Sequence, residues 1–171
     1  MNNMAAEVKS ALGVLLGLRL SLSSYSGLKV FGFGQTQPRG DGMIAKYSLH
    51  VQCPWRLVRN ERLICGSSDR FLREDGSYSD DDDWDPFDGN LLDVILMRLF
   101  ENVRTVRTRM PLENKTGDLV VTGVVEVDDF GGFTLRLSPD YALSVFPAGS
   151  TGEHWRLFKP GIETSHFVVE A

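Results

Sequence analysis

Four consecutive aspartates, Asp80 to Asp83, run into Trp84, Asp85 and Phe87 within the most one-sided stretch of the chain. From Glu74 to Asp93 there are nine carboxylates and no lysine or arginine. Such density sets up a local negative potential that can hold a divalent cation or attract a basic partner. Calcium loops space their carboxylates so that several converge, as in D-x-D-x-D-G, whereas neighbouring side chains on an extended chain diverge. The spacing therefore speaks against a metal. Trp84 and Phe87 among the carboxylates fit a protein-recognition surface, because an aromatic side chain supplies the area that anchors an interface. The competing reading is a solvated loop whose Trp84 folds back onto the core. The expected partner surface is Asp80, Asp81, Asp82, Asp83, Trp84, Asp85 and Phe87, and the expected partner is another protein with a basic surface.

The soft ligands and nucleophiles are few: His50, Cys53, Cys65, His154 and His166. His50 and Cys53 stand three apart, and on a strand those positions face opposite ways unless a bulge at Pro54 turns one round. No C-x-x-C is present, and the Cys53–Cys65 interval matches no zinc spacing, so no metal and no cofactor are expected. Cys53 with His50, His154 or His166 as base would be a catalytic pair. Nothing nearby activates the thiol, however, since no helix starts there and Pro54 offers no N–H for an oxyanion hole. Gly32-Phe33-Gly34 lacks the third glycine and following helix of a phosphate loop. No G-x-S-x-G turn occurs either. Trp55-Arg56 and Trp155-Arg156 are two similar pairs on predicted strands, where the indole is expected inside and the guanidinium outside. The enzyme or ligand-pocket alternative gathers His50, Gln52, Cys53, Trp55, His154 and His166 on one concave sheet face.

The elements that must hold these residues follow from periodicity. Residues 3–16 show helical spacing of Met4, Val8, Ala11, Leu12 and Leu15. From Leu18 the period becomes two, with Leu18, Leu20 and Leu22 alternating with Arg19, Ser21 and Ser23. Leu28–Phe33 is expected as the next strand, and Gly32 to Gly42, with four glycines and Pro38, as an irregular loop. Lys46–Gln52 is the clearest strand, with Tyr47, Leu49 and Val51 facing one way. Leu57-Val58, a turn at Asn60-Glu61 and Arg62–Cys65 read as a hairpin, and 66–90 as a long acidic loop. A helix is expected from about Leu91 to Thr108, with Asn90 as N-cap and Asp93 in its first turn. Short strands then follow at Leu119–Val127, Thr134–Ser138, Tyr141–Phe146, His154–Phe158 and His166–Val169. The expectation is one α+β domain over 1–171. Its mainly antiparallel, bent sheet would have about eight or nine strands, with an N-terminal helix and one longer central helix packed on it.

With 171 residues, 42% hydrophobic and 24% charged, the composition excludes collagen-like, coiled-coil, mainly disordered and polytopic membrane classes. The run Ala11–Leu18 is too short to span a bilayer, and Glu7 with no small-residue cleavage site argues against a secretory signal. Two cysteines make no disulfide framework, so a cytoplasmic protein without membrane association is expected. The net charge of −5 conceals a division: residues 74–93 carry −9 and the remainder +4. Nucleic acid is therefore an unexpected partner but not one that the charge rules out.

Three stretches, Tyr47–Arg56, Glu153–Phe158 and Ser165–Val169, together with Trp84-Asp85 and Gly89-Asn90, resemble a group of small bacterial cytosolic proteins. The resemblance covers most of the chain from the middle strand onward and implies a bacterial, cytoplasmic origin, with no activity or catalytic residues to carry over. Small acidic α+β chains of this type also resemble immunity or accessory proteins encoded beside toxins, a likeness of class alone. Two functions are thus expected: an immunity-like binding module that docks through the acidic loop, or a small enzyme or ligand binder with the pocket named above.

Overall fold

The computed structural model describes residues 3–78, 90–102, 111–163 and 165–171. Among them are two helices, α1 (Met4–Leu12) and α2 (Leu91–Leu99). Eleven strands complete the fold: β1 (Leu20–Tyr25), β2 (Lys29–Arg39), β3 (Gly42–Val51), β4 (Trp55–Arg59), β5 (Arg62–Gly66), β6 (Leu112–Glu113), β7 (Val121–Val125), β8 (Phe133–Leu137), β9 (Tyr141–Val145), β10 (Glu153–Phe158) and β11 (Phe167–Glu170). They form two antiparallel sheets where the sequence suggests one bent sheet. The first has the order β11-β10-β3-β2-β1-β6 and the second β5-β4-β9-β8-β7. No described helix is long and apolar enough to cross a membrane.

The sheets share one core. Phe31, Phe33, Leu49 and Val51 from the first meet Leu57, Leu135, Leu143 and Val145 from the second. Two edge-to-face aromatic pairs bridge the layers, Phe31–Trp55 and Phe133–Trp155, each with ring centres 5.0 Å apart. Trp155 also donates from its indole nitrogen to the Gly131 carbonyl at 2.8 Å, which satisfies a donor that burial would otherwise leave costly. The chain passes between sheets at Gln52–Pro54, where the Gln52 N–H bonds to His154 O and the Phe146 N–H to Pro54 O, both at 2.8 Å. The imino acid expected to interrupt a ladder thus marks the crossover. A second junction joins the residues ahead of β1 to those ahead of β7, through Val121 N–H to Leu18 O and Leu20 N–H to Leu119 O.

Several expectations are corrected. Gly32 to Gly42 is no loop: β2 and β3 continue pairing to Arg39–Gly42 around a two-residue turn. An irregularity between Phe33 and Thr36 absorbs Gly34, and Gly40, at φ +55°, supplies the positive angle that the first position of a tight hairpin turn demands. Asn60 and Glu61, both at positive φ, make the expected β4–β5 turn. The acidic loop is partly structured, since a 3-10 turn covers Ser67–Phe71 and isolated bridges join Leu72 to Tyr78 and Arg73 to Asn90. Helix α1 ends at Leu12, and a 3-10 turn carries on through Leu15.

Helix α2 begins as expected, the Asn90 side chain accepting from the Asp93 N–H at 3.0 Å. It stops at Leu99. Glu101, at φ +50°, donates to Arg98 O while Asn102 donates to Met97 O, which is the Schellman pattern with a glutamate where glycine is usual. The remainder of the span expected to be helical, 103–108, lies outside the described residues.

Candidate functional site

The partner surface expected at Asp80, Asp81, Asp82, Asp83, Trp84, Asp85 and Phe87 lies outside the described residues. The six residues of the alternative pocket are described, and they divide into groups.

His50, Gln52 and His166 come together on the solvent face of the first sheet. His50 is directly opposite Arg156 in the β3–β10 register. The Phe158 ring lies between the two imidazoles, edge-on to His50 at 4.7 Å and stacked on His166 at 4.3 Å. Arg156 is paired with Glu153, whose Oε1 also accepts from Gln52 at 3.0 Å. Burial and the neighbouring Arg156 cation together hold the His50 imidazole below its ordinary pKa. His154 is elsewhere: it is buried at the irregularity between Glu153 and Trp155, against Gly149. Among the described residues no three His, Cys, Asp or Glu side chains are grouped to hold a metal.

Cys53 and Trp55 belong to a second place, a half-open cavity of about 350 Å³ at one end of the two sheets. Its walls are the β1–β2 turn with Tyr25 and Leu28, the crossover from Val51 to Trp55, the 3-10 turn with Ser67, Arg70 and Phe71, and Leu92 of α2. Gln52 stands at its margin, between the two groups. Both cysteines are buried free thiols. Burial pushes Cys53 up to about 11 and Cys65 up to about 12, so neither is poised as a nucleophile.

The residue that gives this cavity its chemistry is Lys29, which the sequence reading did not single out. Only 4% exposed, it donates from Nζ to Ser23 Oγ at 2.6 Å. Its nitrogen stands 5.4 Å from the Phe31 ring centre and 5.8 Å from that of Trp55. Among the described residues no carboxylate pairs with it within 4 Å. Desolvation lowers its pKa from 10.5 to about 8, against the raising influence of Asp93 and Cys65, with Arg70 adding to the lowering. Arg70 is itself buried, its guanidinium against the Tyr25 ring, and desolvation brings it below its ordinary value too.

One indication of Lys29 was present in the sequence. Positions 29, 31 and 33 of a strand share a face, so a lysine in phase with Phe31 and Phe33 must point inward. The other half was hidden. The leucine alternation places Ser23 outside, but the β1–β2 register shifts between Leu20 and Leu22, which turns Ser23 and Tyr25 to the inner face beside Phe31 and Lys29. Leu22 moves to the opposite face, where it covers Gly32 with Ala45.

A second hollow, of about 630 Å³, lies between the β2–β3 hairpin and residues 159–162. Arg39, Lys46 and Lys159 line it, and both lysine nitrogens approach the Tyr47 ring. Three cations thus gather around one hollow of the body. Comparison of the chain with protein-family models, with curated proteins and with solved structures gives no match.

Proposed function

We propose that the protein binds a small molecule in the half-open cavity at one end of its two sheets, without catalysing a reaction on it. One observation carries this reading: the Lys29 amine is enclosed at the cavity with a single hydroxyl as its hydrogen-bond partner among the described residues. Burying an ionisable group without a countercharge is costly, and stability alone gives no reason to keep one there. A displaced pKa in a concave, largely apolar site is the ordinary mark of a place where ligands are handled. Tyr25, Trp55 and Phe71 supply aromatic walls, so a ligand with a flat apolar body fits best. The test is a screen of small aromatic compounds by tryptophan fluorescence and thermal shift. Saturable binding that Lys29→Met weakens supports the reading, and absence of any binding across the screen defeats it.

A second reading rests on the charge division, nine acids and no bases between Glu74 and Asp93. In it, an immunity-like module of a bacterial protein docks the segment Asp80–Phe87 on a basic protein. Opposite potentials would speed encounter and confer salt sensitivity. Neutralising Asp80 to Asp83 to asparagine should slow association with such a partner, and an unchanged rate would remove this reading. The two buried free thiols support a reducing, cytoplasmic setting for either function.

A further inference from the structure

Building on the pocket reading, on which this step rests, we propose that Lys29 captures small aromatic aldehydes as a reversible imine on its side-chain nitrogen. The geometry restrains the amine at its far end. Ser23 Oγ, at 2.6 Å, fixes the nitrogen, while the Phe31 and Trp55 rings stand 5.4 and 5.8 Å from it. The cavity beside it, about 350 Å³, is large enough for a single-ring compound, with Tyr25, Trp55 and Phe71 to receive the ring. Apolar walls favour the neutral amine over the ammonium, and only the neutral form has the lone pair that attacks a carbonyl. With the pKa brought from 10.5 to about 8, the neutral fraction near pH 7 rises roughly 300-fold over an exposed lysine. The charged and titrating groups acting on that nitrogen are Asp93, Cys65 and Arg70.

The step balances without an oxidant or reductant. The nitrogen lone pair forms the C–N bond to the carbonyl carbon, and a proton moves from nitrogen to oxygen to give a carbinolamine. Protonation of its hydroxyl lets one water leave, and loss of the remaining N–H proton yields the neutral imine. Amine and aldehyde become imine and water, and hydration reverses the capture. Ser23 acts here as a positioning residue, through the hydrogen bond that orients the amine.

Four other lysines, Lys9, Lys46, Lys115 and Lys159, are less buried and serve as internal controls. The full chain is incubated with benzaldehyde, reduced with borohydride and mapped by peptide mass spectrometry, with benzyl alcohol as a ring of the same shape that lacks the carbonyl. The expected result is an adduct on Lys29 at least about tenfold ahead of the other lysines, rising as pH passes through 8. Benzyl alcohol should slow it, and Ser23→Ala should reduce it while the amine remains. If benzyl alcohol quenches tryptophan fluorescence saturably but Lys29 stays unlabelled, the pocket reading stands and imine capture is overturned. If the alcohol does not bind and label falls only on the exposed lysines, both fall together. Mapping is done on the wild-type chain, so the result does not depend on how well Lys29→Met folds.

Discussion

Lys29 Nζ donates to Ser23 Oγ at 2.6 Å inside the β1–β2 hairpin, so two polar side chains, one in phase with Phe31 and the other turned inward by the register shift, occupy the core face of the sheet. A hydroxyl offsets part of the desolvation of an amine but none of its charge. The pair is therefore a candidate for a place where function is kept at the expense of stability.

Replacing Lys29 with methionine, of similar length and fully apolar, should raise stability at neutral pH by on the order of 1–3 kcal/mol. Urea denaturation followed by tryptophan fluorescence measures it. A structural role for the amine predicts the opposite sign, and a loss of 2 kcal/mol or so would establish that role.

Lys29 also makes stability depend on pH in an unusual direction. Its folded pKa, about 8, lies below the ordinary 10.5. Between those values the unfolded chain holds a proton that the folded chain has released, so stability rises with pH, by at most about 3 kcal/mol across the whole interval. Cys53 and Cys65 act the other way, because raising their pKa from 9.0 to about 11 and about 12 makes stability fall as pH rises through 9.0. The unfolded thiols begin to ionise about one unit below 9.0, so between about pH 8 and 9 they offset much of the rise from Lys29. The thiols cancel in the difference between the wild-type and Lys29→Met denaturation midpoints, and that difference should move in favour of the wild type as pH rises across the window.

Asn114 ties the strand junction together. Buried, it donates from Nδ2 to the Leu20 carbonyl at 2.8 Å and accepts at Oδ1 from the Thr116 N–H and hydroxyl at 2.9 and 2.7 Å. Its own N–H bonds to Ser21 O. Asn114→Ala strands a buried carbonyl and loosens the 114–118 turn, which should cost about 2–3 kcal/mol. Faster amide exchange at Leu20 and Val121 should accompany the loss, since their N–H groups donate across that junction to Leu119 O and Leu18 O.

What the chain disclosed in advance and what it withheld divide along physical lines. Strands with clean alternation, such as β3 with Leu49 and Val51 inward, were legible because a period of two admits one buried face. The Asn90 cap and the Asn60-Glu61 turn were legible because their chemistry is local. The two-sheet layout was not, because a crossover at Cys53-Pro54 and an edge bulge read alike in one dimension. Nor was the end of α2, where Glu101 takes a left-handed conformation without the glycine that usually announces it. The site was half legible: the phase of Lys29 is in the sequence, but its partner Ser23 arrives only through the slip between Leu20 and Leu22.

Arg156 should govern the titration of His50 on the opposite side of the first sheet. Burial is the larger cause of the lowered His50 pKa and the Arg156 cation the next, while Glu153 works against both. Arg156→Met removes the cation and frees Glu153 from its ion pair, so both changes favour the imidazolium. The His50 pKa should move upward, as followed by the shift of its ring carbon protons in NMR titration. Glu153→Gln should move it further down, because the one raising influence among its charged neighbours is then gone while Arg156 stays. Opposite displacements in the two variants would show that this face is an electrostatically coupled cluster. No displacement in either variant would mean that burial alone sets His50.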